Sequence, residues 1–135
     1  MSSDTPISTQ AQVVLIDDDP HLRQALSQTL DLAGLKVASL GDARDLAARL
    51  PADWQGVVVS DIRMPGMDGI EALAALRARG DATPVLLLTT FDDSDLLLRA
   101  TDAGAQGFLL KDAAPEDLRD AIARVAAGDT LLQPV

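Results

Sequence analysis

The sequence predicts an α/β fold in which helices cover both faces of a parallel β-sheet. Two observations indicate this class. Short continuous apolar runs recur along the chain, and a helical pattern follows each run, so that strand and helix alternate five times within 135 residues. An uninterrupted apolar run suits a strand buried on both faces, which is typical of parallel sheets. Right-handed crossovers then bring the C-terminal ends of the strands to one edge.

The elements are predicted in chain order. The strands are predicted at residues 13–16, 35–40, 56–61, 84–89 and 108–110. The first helix is the clearest, because Asp19 is a good N-cap, Pro20 suits the first helical position and Gly34 suits the C-terminal end. The second helix is predicted at 42–50 with Leu46 and Leu50 inward. The remaining helices are predicted from Ile70 to Gly80, from the acidic segment 92–95 onward, and from Pro115 to Gly128.

Composition excludes several classes of protein. Apolar residues make up 47% of the chain, which suits one folded domain, predicted at residues 12–128 after a flexible polar leader at 1–11. The absence of cysteine excludes disulfides and thiolate chemistry. A net charge of −10 argues against nucleic-acid contact by this domain itself. No signal peptide or apolar run of ~20 residues is found, so we expect a cytoplasmic protein with no membrane association.

Polar side chains stand at the C-terminal ends of four of the predicted strands. Asp17 and Asp18 follow the first strand, Asp61 ends the third, Thr89 ends the fourth and Lys111 follows the fifth. Open α/β sheets bind their ligands at this edge, so we expect these groups to converge. A single strand-terminal aspartate is more often a helix cap, and it is the set of five that indicates a site.

The chemistry of the set points to phosphoryl transfer. Three neighbouring carboxylates repel one another unless a cation lies between them, and oxygen-only ligands favour Mg²⁺ or Mn²⁺. A carboxylate that attacks phosphorus forms an acyl phosphate, and we predict that Asp61 is this nucleophile. Lys111 and Thr89 are predicted to hold the other phosphoryl oxygens.

Several segments resemble the receiver domain of bacterial two-component response regulators, over residues 13–130. These segments are LIDDDP, VVVSDIRMPGMDG, PVLLLTTFDD and AGAQGFLLKD. The resemblance implies a flavodoxin-like (βα)5 doubly wound sheet with strand order 2-1-3-4-5. It also implies a phosphoacceptor aspartate that receives its phosphoryl group from a sensor histidine kinase.

The resemblance assigns roles by position. Asp61 is the phosphoacceptor. Asp18, Asp61 and the backbone carbonyl of Arg63 would bind Mg²⁺ directly, and Asp17 would act mainly through metal-bound water. Arg63 and Phe91 correspond to positions that tune hydrolysis of the acyl phosphate.

Two further residues correspond to the family's switch. Thr89 would move toward the phosphoryl group, and Phe108 is the aromatic residue that would change rotamer with it. The resemblance therefore implies a conformational switch rather than an enzyme with turnover.

The segments FDD, GFLLKDA and AAGDTLLQPV resemble the LuxR/NarL subgroup, in which a helix-turn-helix domain follows the receiver. This implies that residues 129–135 begin a linker and that promoter DNA is bound by a domain absent from this chain. It also permits a homodimer on phosphorylation. Asp112 stands where many members have proline after the lysine, so we predict a trans Lys111–Asp112 peptide.

Three other functions compete with that of a receiver linked to a DNA-binding domain. A stand-alone receiver would act through protein contacts alone. A phosphatase with an aspartyl-phosphate intermediate needs a second acid two residues after the nucleophile, where this chain has Arg63. A flavin carrier would need aromatic residues around the ring, and the chain has only Trp54, Phe91 and Phe108. His21, the only histidine, is expected to be solvent-exposed rather than a metal ligand.

Overall fold

The computed structural model describes residues 7–43, 46–51, 54–62, 68–89 and 94–131. Within these ranges five strands alternate with five helices, as the sequence predicts. The strands are β1 (Val13–Ile16), β2 (Val37–Leu40), β3 (Val57–Asp61), β4 (Val85–Thr89) and β5 (Gly107–Leu110). The helices are α1 (Pro20–Leu32), α2 (Leu46–Arg49), α3 (Gly69–Ala78), α4 (Ser94–Asp102) and α5 (Pro115–Ala126).

The five strands form one parallel sheet in the order β2-β1-β3-β4-β5, which confirms the predicted flavodoxin-like topology. Alternate residues of the strands enter two separate apolar cores, one on each face of the sheet. Val14 and Val58 lie in one core, and Val13, Leu15 and Val59 lie in the other. Because side chains alternate along a strand, burial on both faces requires the continuous apolar runs seen in the sequence.

The second helix is shorter than predicted. The structure has α2 at Leu46–Arg49, and residues 42, 43 and 50 of the predicted range 42–50 are not helical, while residues 44–45 lie outside the described ranges. Leu46 and Leu50 are both buried, as predicted. Their burial, rather than helix length, holds this segment on the sheet.

Residues 7–11, part of the predicted flexible leader, contact the domain at two points. Ile7 is 5% exposed, and its N–H donates to the carbonyl oxygen of Arg49 at 2.8 Å. The indole Nε1 of Trp54 donates to the carbonyl oxygen of Ala11 at 2.7 Å. The burial of Ile7 and its hydrogen bond to Arg49 join this part of the segment to the domain. Residues 1–6 lie outside the described ranges.

Two smaller expectations, for the Lys111–Asp112 peptide and for His21, are met. The described residues contain no cis peptide bond, so the Lys111–Asp112 peptide is trans. His21 is exposed, and Trp54 is a buried packing residue. In the described ranges, no helix is both long enough and apolar enough to cross a bilayer.

Candidate functional site

The predicted polar residues meet at the C-terminal edge of the sheet. Asp61 is the last residue of β3 and Thr89 the last residue of β4, and both are buried. Asp17 directly follows β1 and is fully buried, and Lys111 directly follows β5. The backbone N–H of Lys111 donates to the carbonyl oxygen of Thr89 at 2.8 Å, which ties the ends of β4 and β5 together.

Three carboxylates form a cluster at this edge. One carboxylate oxygen from each of Asp17, Asp18 and Asp61 lies within 4.8 Å of the others. Asp17 and Asp61 are buried, whereas Asp18 is exposed. A cluster of this kind is open to solvent on one side, where a hydrated cation and an incoming ligand can reach it.

Asp17 is held by its neighbours in a way that leaves one oxygen for a ligand. Its N–H donates to the carbonyl oxygen of Leu40 at 3.2 Å, and its Oδ1 accepts the N–H of Asp19 at 2.9 Å. Its Oδ2 is buried and has no hydrogen-bond partner. A buried carboxylate oxygen without a partner is costly, so this oxygen fits a site for a hard cation.

Arg23, on α1, also holds Asp17, a role that was not predicted from the sequence. Its Nη1 donates to the carbonyl oxygen of Asp17 at 2.7 Å. A Cβ at Gly41 would lie 3.1 Å from this same nitrogen, so the glycine leaves room for the guanidinium. The only signal in the sequence was a basic residue six positions after an acid at the start of a helix.

The backbone at Asp61 is also closely packed. A Cβ at Gly69 would lie 2.6 Å from the carbonyl oxygen of Asp61, so only glycine allows α3 to begin this close to β3. Asp68 caps α3 in a capping box with Glu71. The Asp68–Gly69 pair therefore places a helix start against the predicted phosphoacceptor.

Lys111 supplies the positive charge of the site. Its Nζ donates to Asp61 Oδ2 at 2.8 Å, and the two side chains are 29% and 5% exposed. Burial lowers the pKa of Lys111, but the hydrogen bond that Lys111 donates to Asp61 and the charges of the three carboxylates outweigh it, so the pKa is raised overall. Lys111 is therefore protonated at neutral pH.

The pKa of Asp17 is raised, chiefly by burial. The N–H of Asp19 opposes this effect, and the charge of Asp61 adds to it. The Asp17 carboxylate is harder to ionise in the folded than in the unfolded protein. Folding stability therefore falls as the pH rises from the ordinary pKa of an aspartate to the raised pKa of Asp17. Above the raised pKa of Asp17, folding carries the full free-energy cost of burying the ionised carboxylate.

We therefore expect Asp17→Asn to stabilise the metal-free protein at neutral pH, by about 1 kcal/mol, the size of a typical single substitution. The gain should shrink as the pH falls toward the ordinary range of an aspartate. Urea denaturation at pH 7.5 and pH 4.5 in EDTA measures it. Asp19→Asn is the control, because asparagine caps a helix as well as aspartate. A loss of stability in Asp17→Asn at pH 7.5 would contradict the burial argument.

Some predicted residues cannot be placed. Arg63 and Phe91 lie outside the described residues. Phe108 is described, and its side chain is buried in the core on β5. Its role as a switch, and that of Thr89, stay predictions.

Similarity to known proteins points to the same family as the sequence motifs. The family model described as the response regulator receiver domain matches residues 13–123, which is most of the chain. The chain belongs to the response regulator receiver family. Receiver domains of this family are signalling switches in two-component systems, which agrees with the resemblance seen in the sequence.

The curated relatives of this receiver domain include transcriptional regulators. The C4-dicarboxylate transport transcriptional regulatory protein DctD of Pseudomonas aeruginosa is 54% identical over 92% of this chain and 27% of its own length. The nitrate/nitrite response regulator protein NarP of Escherichia coli is 41% identical over 91% of this chain and 58% of its own length. This receiver domain thus spans between a quarter and three fifths of these two relatives.

Solved structures agree with the fold. The crystal structure of FixJ-N matches with a TM-score of 0.81 and 30% identity, covering 87% of this chain and 94% of that one. The chemotaxis protein CheY4 of Vibrio cholerae matches with a TM-score of 0.75 and 35% identity, covering 86% of this chain and 98% of that one.

Proposed function

We propose that Asp61 accepts a phosphoryl group in a reaction that depends on Mg²⁺, or on Mn²⁺ in its place. The observation that carries this proposal is the position of Asp61, whose carboxylate contacts the Lys111 ammonium and also belongs to the cluster with Asp17 and Asp18. A nucleophile that neighbours both an ammonium group and carboxylates able to hold a cation suits attack on a dianionic phosphoryl group.

In the proposed reaction an oxygen of Asp61 attacks phosphorus and forms a new P–O bond. The bond from phosphorus to the donor atom breaks, and its electron pair leaves with the donor, a histidine imidazole nitrogen of a sensor kinase or the oxygen of acetate. Lys111, released from the carboxylate, donates to a phosphoryl oxygen. Thr89, at the buried end of β4, is proposed to donate to another.

The divalent cation would be held by Asp18 and Asp61, with Asp17 and the backbone carbonyl of Arg63 completing the protein side. The unpartnered Oδ2 of Asp17 supports this placement. When bound, the ion supplies positive charge between the carboxylates and the phosphoryl oxygens, which lowers the electrostatic barrier to attack.

We infer that the phosphoryl group works as a switch. It adds about two negative charges, and Lys111 changes its partner from a carboxylate to a phosphoryl oxygen. The backbone N–H of Lys111 is hydrogen-bonded to the carbonyl oxygen of Thr89, and Lys111 directly follows β5. The change at Lys111 therefore reaches the ends of both β4 and β5. Phe108, on β5, is the proposed aromatic residue that responds.

The test is intact mass spectrometry of the purified chain after incubation with acetyl phosphate. With Mg²⁺ present we expect one added phosphoryl group, an increase of about 80 Da, because the chemistry transfers a single group to a single carboxylate. With excess EDTA the increase should disappear, and Mn²⁺ should restore it. An equal increase in EDTA would contradict the metal requirement, and no increase under any condition would contradict the function.

We further propose that this domain belongs to a longer, cytoplasmic transcriptional regulator. In that protein a sensor histidine kinase phosphorylates the receiver domain, which then forms a homodimer and controls a DNA-binding domain. The names of DctD and FixJ, both transcriptional regulatory proteins, support this reading. The second candidate is a stand-alone receiver, which the 98% coverage of the CheY4 chain favours. Reading the coding sequence beyond Val135 distinguishes the two.

A further inference from the structure

The peptide group between Asp17 and Asp18 joins two of the three carboxylates of the cluster. Its carbonyl oxygen, which belongs to Asp17, accepts a hydrogen bond from Nη1 of Arg23 at 2.7 Å. A peptide group is planar, so a hold on its oxygen limits rotation about the Cα–C bond of Asp17 and about the N–Cα bond of Asp18. One guanidinium therefore restrains the directions in which both carboxylates leave the main chain.

Arg23 reaches this carbonyl oxygen from the first turn of α1. Its own N–H donates to the carbonyl oxygen of Asp19 at 2.9 Å, and the N–H of Asp19 donates to Oδ1 of Asp17 at 2.9 Å. The hydrogen bond from the guanidinium is partly buried, and a charged donor makes a stronger hydrogen bond than a neutral one. Asp17 is thus held at its N–H, its carbonyl oxygen and Oδ1, and only Oδ2 is left for a ligand.

Gly41 leaves the space that the guanidinium occupies. It directly follows β2, and a Cβ at this position would lie 3.1 Å from Nη1 of Arg23 and 3.7 Å from its Cζ. Those atoms are the end of a flexible side chain, so an added methyl group would displace the guanidinium rather than the main chain. The neighbouring residue, Leu40, accepts the N–H of Asp17. The end of β2 therefore helps to shape the cluster in two ways.

We propose that Arg23 is a positioning residue for the divalent cation, because through the Asp17 carbonyl it holds the carboxylates of Asp17 and Asp18 in the directions that the cation and its bound water require. This proposal rests on the proposed function, since it takes the carboxylate cluster as the cation site. Arg23 acts through the main chain of the ligands and not on the cation itself. Removing a group that orients a metal ligand typically weakens metal binding about tenfold or more.

The sign of the effect separates position from charge. Arg23 carries a positive charge 2.7 Å from the main chain of the cluster. By charge alone, its loss should strengthen the binding of a cation. Loss of its hydrogen bond should weaken binding, because two ligands gain freedom that the cation must then remove. A lower cation affinity in a variant without the guanidinium therefore reports on position.

The test measures Mn²⁺ binding to the unphosphorylated chain by electron paramagnetic resonance, which detects the free ion. Arg23→Met keeps the apolar stem and removes the donor, and its Mn²⁺ affinity should be about tenfold weaker than that of the wild type. Arg79→Met, which removes an exposed arginine, is the matched control and should bind like the wild type. Urea denaturation checks that both variants are folded. Equal or tighter binding in Arg23→Met would overturn the proposal.

Gly41→Ala tests the same hydrogen bond while the charge of Arg23 is kept. We expect weaker Mn²⁺ binding, and no further loss when this change is added to Arg23→Met, because the side chain that it displaces is then absent. Losses that add in the double variant would overturn the link between the two residues.

Phosphoryl uptake from acetyl phosphate is measured separately, so the two proposals fail in different ways. A wild type that binds Mn²⁺ but gains no mass contradicts the role of Asp61 as acceptor. A wild type that gains mass, with Arg23→Met binding Mn²⁺ equally well, contradicts the role of Arg23 alone. At saturating Mn²⁺ we expect Arg23→Met to take up the phosphoryl group like the wild type, because its defect lies in cation affinity.

Discussion

Asp61→Asn should abolish the uptake of a phosphoryl group. Asparagine has nearly the same shape, so β3 and its contacts are kept, but its amide oxygen carries no full negative charge to attack phosphorus. Lys111, whose Nζ lies 2.8 Å from Asp61 Oδ2, also loses its ionic partner. After acetyl phosphate and Mg²⁺, the intact mass of the variant should show no addition, while the wild type gains one group of about 80 Da.

Asp19→Asn is the matched control for charge. Asp19 lies two residues after Asp17, and its Oδ1 accepts the N–H groups of His21 and Leu22 at the start of α1. It is a helix cap, as the sequence predicts, and asparagine caps equally well. This variant should take up the phosphoryl group like the wild type. Uptake by Asp61→Asn, or its loss in Asp19→Asn, would place the acceptor elsewhere.

The second large effect is expected at Arg77, on α3. Its Nη1 donates to the carbonyl oxygens of Asp81 and Thr83 at 2.8 and 3.0 Å. Its Nη2 donates to the carbonyl oxygen of Gly104 at 3.0 Å and to Oε1 of Gln106 at 2.8 Å. One partly buried guanidinium thus joins the loop between α3 and β4 to the loop between α4 and β5. Burial lowers its pKa, against the charge of Asp81.

Arg77→Met should lower the free energy of unfolding by about 3 kcal/mol, because four acceptors lose their donor together. Methionine keeps much of the apolar stem, so the loss reports on the guanidinium. Arg79→Met is the control: Arg79 is exposed two residues further on, where substitutions change stability little. Urea denaturation of both variants measures the difference. Equal stability of the two variants would show that the four hydrogen bonds contribute nothing net.

The site residues were predicted from their positions at the ends of strands. The parallel sheet alone explains why these residues converge. Asp17, Asp61 and Lys111 each follow or end a continuous apolar run, so their place at one edge needs no knowledge of side-chain contacts. Arg23 and Arg77 were missed because each donates to backbone carbonyls, which every residue carries. No residue type in the sequence marks such an acceptor.

The N-terminal segment shows the limit of composition. Residues 1–11 are mostly polar, so a flexible leader was expected, yet one apolar side chain at Ile7 finds a buried place beside Arg49 of α2. Ile7 contacts the domain through one buried side chain and one backbone hydrogen bond. Its partner is more than forty positions away along the chain.

The sequence by itself determined the alternation of strands and helices, the N-cap of α1, and the acids at the strand ends. These are local properties, because burial on both faces and helix capping act on neighbouring residues. Only the tertiary structure decided which oxygen of Asp17 is left without a partner, how Arg23 holds Asp17, and that Leu131 returns to the edge of β5. Those contacts join residues through space, and their energies depend on a backbone path that no single stretch of sequence encodes.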